Sequence, residues 1–346
     1  MSVSEPIVAG PGVTASRMLS ALEPSLAAGS GDTPVFELAG ETPGGRILIL
    51  GGTHPPETAG MMAAILLVEN ARVTQGRMVV VPQANRSGFT YTRPLAADIH
   101  RFTIDTPAGT RWFRVGIRYT NPVDQVSDTL TYVHRPSGER MPGRESRNLN
   151  RVHPGAADGT LTERVSHGLT AIAKESDIVI DLHEAYPESP ITNMIVAHEN
   201  AFEVGAIAKM MMDVEGIPFA LDASPRSAHG LSHREFGDNT SAAALLTETP
   251  NPVMGSFRGR VSEEAVVEGR DPNYIRAGEL GYLTVRFDEN GWPLKLRVAR
   301  HLTAIAEVIK AYNELHPEKP ILVEGIPSFE ALNEQGLGAF LLPPPE

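Results

Sequence analysis

The sequence predicts an α/β fold: a single domain built on a mixed, largely parallel β-sheet with helices on both faces. Short aliphatic runs that end in glycine, apolar residues at helical spacing between those runs, and alternation of the two along most of the chain point to it. "RILILGG" (46–52) reads as a strand buried on both faces. In "ETAGMMAAILLVENARV" that follows, Met61, Ile65 and Val68 keep helical spacing, and Gly76 stops the element before the strand "RMVVVPQ". The pattern returns at Thr160, where "TLTE" has the form of a capping box, Leu161, Val165, Leu169 and Ile172 form one stripe, and "DIVIDLH" follows as a strand. "ITNMIVAH", "IPFAL" and "AAALLTE" are expected strands, "AFEVGAIAKMMMDVEG" a helix, and Val298, Leu302, Ile305, Ile309 and Tyr312 mark a long late helix.

Two segments break this rhythm inside a domain expected to span 1–346. Residues 86–146 ("FTYTRP", "TRWFRVGIRYT", "DTLTYVHR") read as an insertion of short strands and loops, and 250–296, with "ELGYLTVRF" and "ENGW", as an irregular piece with a hairpin. The tail "LLPPPE" is expected to fray.

Composition narrows the chemistry. With 42 acidic against 30 basic residues and a net charge of −12, nucleic acid is a poor partner, although a local cationic pocket is compatible with it. The absence of cysteine removes disulfides, thiol nucleophiles and thiolate ligands, so a metal would need His, Asp or Glu. "MSVSEPIVAGPGVTAS" lacks a basic region followed by an apolar one, and no apolar run is long enough to span a bilayer. A cytoplasmic protein without membrane contact is expected, with homo-oligomerisation left open.

Polar residues cluster just past three expected strands: His54 and Glu57 after "RILILGG", His183 ending "DIVIDLH", and Glu248 ending "AAALLTE". In open α/β sheets the ligand crevice lies outside the carboxyl ends of the strands, where such residues meet. Two imidazoles and a carboxylate make a three-ligand zinc site with an open position, leaving Glu248 as a base. Each residue alone has a plainer explanation. A carboxylate suits a helix start, a histidine at a strand end is commonly hydrogen-bonded, and Glu248 could pair with an arginine. "SRNLNR" alone would be an exposed basic turn. His229 and His233 in "SAHGLSHREFGDN" and His198 in "VAHENAFE" are weaker candidates, accounted for by loop solvation and a helix start.

In this order, "GGTHPPE", "RNLNR", "DLHEA" and "LLTETP" resemble the motifs of the zinc carboxypeptidase superfamily, and within it the succinylglutamate desuccinylase and aspartoacylase branch. The resemblance implies a zinc carboxypeptidase-like fold and one zinc ion per chain on His54, Glu57 and His183, with Glu248 activating water. It implies that Asn150 and Arg151 grip a substrate carboxylate and that an earlier arginine polarises the scissile carbonyl. Arg144 fits that spacing best, with Arg147 as rival and as a further substrate-binding residue. The expected activity is hydrolysis of an N-acyl amino acid or a similar small carboxylate-bearing amide. A carboxypeptidase, or a metal-free binding protein on the same fold, are the alternatives. Pro55 and Pro56 depart from the small residues usual between the first His and Glu. With a short stretch after Pro317, the β-domain common in that branch is expected to be missing, and the insertion is larger than the resemblance implies.

Overall fold

Each central strand sends alternate side chains to opposite faces, and both faces are covered. The computed structural model describes residues 7–91, 99–126 and 130–344. Strands β1 (Ala15–Met18), β2 (Pro34–Ala39), β3 (Thr42–Leu50) and β4 (Arg72–Val81) come first, with α1 (Thr58–Asn70) between the last two. Then follow α2 (Arg86–Phe89), β5 (Arg101–Thr106), β6 (Gly109–Arg114), β7 (Thr131–Val133), β8 (Arg140–Pro142) and α3 (Leu161–Ala173). The second half carries β9 (Ile178–Ala185), β10 (Met194–Ala197), α4 (Phe202–Val214), β11 (Ala220–Ala223), α5 (Ser232–Asn239) and β12 (Ala243–Pro250). Helices α6 (Glu263–Val267), α7 (Pro272–Glu279) and α8 (Leu294–Leu315), strand β13 (Leu322–Glu324) and helix α9 (Phe329–Gln335) complete it.

A nine-stranded sheet runs β1-β2-β4-β3-β9-β12-β10-β11, with β13 also paired to β4. The central strands β4, β3, β9 and β12 are mutually parallel, whereas β1, β2, β10 and β13 join through antiparallel pairings. Ile47, Ile49, Met78, Val80, Ile178 and Ile180 pack with α1, α4 and α8 on one face. Leu48, Leu50, Val79, Val81 and Val179 pack on the other with Val165, Leu169 and Ile172 of α3 and Phe236 of α5. The expected capping box opens α3: Thr160 Oγ1 accepts from the Glu163 amide, and Glu163 Oε2 accepts from the Thr160 amide at 2.8 Å.

Every residue of α1 from Thr58 to Glu69 is buried, so this helix runs through the core. Gly60 lets it lie against β9, since a Cβ there would sit 2.4 Å from the Leu182 carbonyl oxygen. Gly52 has φ +63°, a conformation glycine adopts without steric cost, and it turns the chain from β3 toward His54.

The insertion is fastened to the main core. Its β5–β6 hairpin buries Phe102 and Phe113 in the cluster around α1. Arg111 Nη1 donates to both Glu69 carboxylate oxygens at 2.7 and 2.8 Å, with both side chains fully buried. A second hairpin, β7–β8, follows. Parts of the expected insertion (92–98 and 127–129) and the tail residues 345–346 lie outside the described residues.

The hairpin expected in 250–296 is absent: α6 and α7 stand there, and "GYLTVRF" forms no strand. Instead of a strand pairing, Thr284 reaches the neighbouring turn, its N and Oγ1 both donating to the Pro187 carbonyl. "IPFAL" yields only the end of a strand, since β11 begins at Ala220. Among the described residues no helix is long and apolar enough to cross a membrane.

Candidate metal centre and cavity

Close packing of α1 on β9 brings the residues of three separate strands together. His54 Nδ1 lies 2.8 Å from Glu57 Oε1, and His183 Nδ1 lies 2.8 Å from Glu57 Oε2. The two rings meet edge to face with centroids 4.7 Å apart, and all three side chains are buried. Glu57 occupies the N-cap position of α1 but makes no cap bond; its carboxylate turns to the histidines and accepts from the Glu184 amide at 3.1 Å.

The outer nitrogens decide what the inner ones can do. Asn148 Nδ2 donates to Glu145 Oε2 at 2.8 Å, and its Oδ1 accepts from the Asn150 amide at 3.1 Å. That oxygen faces His54 Nε2 at 2.9 Å, so Nε2 carries the hydrogen. His183 Nε2 likewise faces Asp181 Oδ2 at 2.8 Å, and Thr53 holds the other Asp181 oxygen at 2.8 Å.

Burial, reinforced by the nearby Arg118 charge, pulls His54 down to about 4, so its ring is neutral near pH 7. A neutral ring protonated at Nε2 turns the Nδ1 lone pair toward Glu57 Oε1. Burial pushes Glu57 up, but His54 and His183 outweigh it and hold the carboxylate well below its ordinary range. Burial also opposes charge on His183, yet Asp181 and Glu57 on either side raise it well above its ordinary value. A proton can therefore bridge His183 and Glu57, but the His54 contact sets lone pair against lone pair. A divalent cation would relieve it, and the imidazole and carboxylate donors suit one, with each ring oriented by an outer oxygen acceptor.

Glu248 stands beside this cluster, opposite His183 in the parallel β9–β12 register. Its Oε2 is buried with no hydrogen-bond partner among the described residues. Burial raises it to about 8, with Glu57 adding to the rise and His183 opposing it.

Beneath the cluster, Glu184 ties the turn to the late helix. It accepts from the Ala59 amide at 2.9 Å, from Asn251 Nδ2 at 3.1 Å and from Arg297 Nη1 at 2.5 Å. Asn251 Nδ2 also donates to the Pro56 carbonyl at 3.1 Å. The two prolines are thus a packing surface: Pro56 lines a neighbouring cavity, and Pro55 meets Gly88 and Gly116 of the insertion.

That cavity, about 680 Å³, has Arg118, Arg144, Arg147 and Arg258 in its wall, with Tyr91, Tyr119 and Tyr186, and no acidic side chain among the described residues. Arg118, in the stretch "TRWFRVGIRYT", donates to Glu57 Oε1 at 3.1 Å. Arg144 is two-thirds exposed and contacts Glu145 at 3.3 Å. Arg147 donates to the Thr120 carbonyl at 3.0 Å and lies over the Tyr119 ring. "SRNLNR" is not an exposed turn: Asn148, Leu149 and Asn150 are buried. Asn150 Oδ1 accepts from the Ser232 amide at 2.7 Å, and its Nδ2 lies 3.4 Å from His183 Nε2. Arg151 donates to the Asn150 carbonyl at 2.5 Å and is not among the residues lining the cavity.

Sequence reasoning missed Arg118 and Asn148. The first Asn of "RNLNR" was the available signal for Asn148, whereas Arg118 reaches the cluster only through tertiary packing. The weaker histidine candidates have other partners. His198 contacts Asp238 at 3.0 Å, and His233 Nδ1 contacts Ser224 Oγ at 2.7 Å. His229 lies 3.5 Å from Glu235 and forms a second cluster with it and His134. Both His134 nitrogens are engaged, with Ser137 Oγ at 2.8 Å and the His153 carbonyl at 2.6 Å, so His134 ties the β7–β8 hairpin to the segment before α3.

No curated protein matches the chain. Solved structures similar to it include a succinylglutamate desuccinylase from a Silicibacter species (17% identity, 64% of this chain and 54% of that one, TM-score 0.39). They also include a metallo-carboxypeptidase from Burkholderia cenocepacia (12% identity, 88% and 66%, TM-score 0.46) and the apo cell shape determinant protein Csd4 from Helicobacter pylori (13%, 84% and 55%, TM-score 0.45). The matched part thus spans about half the length of the desuccinylase structure. The family model of the succinylglutamate desuccinylase/aspartoacylase catalytic domain matches residues 43–249. Because that match covers more than half of the chain and encloses His54, Glu57, His183 and Glu248, the chain belongs to the succinylglutamate desuccinylase/aspartoacylase family.

Proposed function

We propose that this chain is a zinc-dependent amidohydrolase that cleaves an N-acyl amino acid or a similar small amide bearing a carboxylate. The observation that carries the reading is the convergence of His54, Glu57 and His183 beside the buried, unpartnered Glu248 Oε2, next to an arginine-lined cavity. His54, Glu57 and His183 would hold one zinc ion per chain. Zinc bound there would polarise the scissile carbonyl, make water more acidic and favour the ionised form of Glu248.

The remaining steps fall to the protein. Glu248 Oε2 takes a proton from the attacking water and delivers it to the leaving amine nitrogen, completing cleavage of the C–N bond. Asn148 and Asp181 keep the two imidazoles oriented throughout. The guanidinium groups of Arg144 and Arg147 attract the anionic substrate from the cavity wall, and Asn150 and Arg151 are assigned to its carboxylate.

The test compares kcat/KM for N-acyl amino acids, their carboxamide counterparts and blocked dipeptides, on the native protein and on Arg151→Ala. The acids should be preferred over the carboxamides by about 10- to 100-fold, the worth of a hydrogen bond to a charged group, and the preference should shrink in the variant. Equal rates on acids and carboxamides would remove Arg151 from the site. Faster cleavage of dipeptides than of small acyl amino acids would make the protein a carboxypeptidase.

A further inference from the structure

Among the described residues, Arg118 is the guanidinium that touches the His54–Glu57–His183 cluster. Its Nη1 donates to Glu57 Oε1 at 3.1 Å, the same oxygen that faces His54 Nδ1 at 2.8 Å. Its backbone is pinned. Ile117 N donates to the Gly88 carbonyl at 3.1 Å, and Gly116 packs so closely that a Cβ there would lie 2.3 Å from Gly88 O and 2.7 Å from Pro55 Cβ. The side chain is freer, with 34% of its surface exposed and the arginine-lined cavity beside it. A cation shared by His54 Nδ1 and Glu57 Oε1 would place a second positive charge within a few ångströms of this guanidinium, in a site where water screens little.

We propose that Arg118 couples the metal centre to anion capture: paired with Glu57 in the metal-free protein, it is displaced into the cavity when a divalent cation binds and there holds an anionic group of the substrate. This rests on the reading of His54, Glu57 and His183 as metal ligands. It makes Arg118 a competitor of the cation for Glu57, opposite to the usual part of a residue that orients a ligand.

Chelator-stripped protein is titrated with zinc alone, as native chain, Arg118→Gln and Arg118→Lys, with thermal unfolding to verify that each variant is folded. Zinc should bind Arg118→Gln about tenfold more tightly than the native chain, and Arg118→Lys, which keeps the charge, about as the native chain does. Succinate then serves as the anion probe. Arg118→Gln should bind it about tenfold more weakly than the native chain when both are zinc-loaded, and equally when both are stripped. Unchanged zinc affinity in Arg118→Gln overturns the coupling while leaving the metal site standing. Zinc affinity weakened by about 10- to 100-fold would make Arg118 an orienting partner of Glu57 instead. A native chain that binds no zinc overturns the metal reading and the coupling together.

Discussion

Glu248→Gln should keep its metal and lose roughly a hundred- to ten-thousandfold in kcat, the usual contribution of a positioned general base. The substitution keeps the shape of the side chain and removes only its capacity to take a proton. Glu248 Oε2 has no hydrogen-bond partner among the described residues, so the substitution breaks no bond made by that atom there. His54, Glu57 and His183 already supply the clustered donor atoms, which separates the role of Glu248 from theirs. Single-turnover rates on metal-loaded protein, with metal content measured on the same samples, test this. Loss of metal from the variant would make Glu248 a ligand and require the roles of Glu57 and Glu248 to be reassigned.

Arg297→Met should destabilise the protein by about 3–5 kcal/mol, the cost of leaving one member of a buried ion pair uncompensated. Arg297 and Glu184 are both fully buried, 2.5 Å apart. Arg297 also donates to the Trp292 carbonyl at 2.9 Å and the Val266 carbonyl at 2.6 Å, so several acceptors lose their donor at once. Burial already raises Glu184 and Arg297 opposes that rise, so the orphaned carboxyl should become harder still to ionise. Because Glu184 also accepts from the first turn of α1, the damage reaches the segment that carries Glu57. Urea unfolding of the metal-free protein measures it. A loss below about 1 kcal/mol would mean that the pair contributes little.

The sheet and the cluster were readable because their signals are local or set by topology. "RILILGG" and "DIVIDLH" are aliphatic enough to be central strands, and parallel neighbours put His54, Glu57 and His183 at one end of the sheet. The failures have physical causes. "GYLTVRF" carries β-favouring residues, but β-propensity expresses packing on a sheet, and here no strand pairs with it: Tyr282 N bonds back to Ala277 and Thr284 bonds to the turn at Pro187 and Ser189. Arg118 lies in a stretch with no periodicity, and its place depends on Gly88, Gly116 and Pro55 meeting across the fold. "TRWFRVGIRYT" proved to have two uses: Phe113 enters the core, while Arg118 and Tyr119 face the cavity. The tautomer of His54 depends on the chain from Glu145 through Asn148, a network of buried contacts that no spacing announces.

The most direct test of the central claim is elemental analysis of protein purified without added metal, repeated on His54→Ala and His183→Ala. A cation would relieve the contact between His54 Nδ1 and Glu57 Oε1, and with either histidine removed the two remaining protein ligands would no longer enclose one. One zinc per native chain and near-complete loss in both variants are expected. A native protein without metal, or zinc content unchanged in both variants, would contradict it.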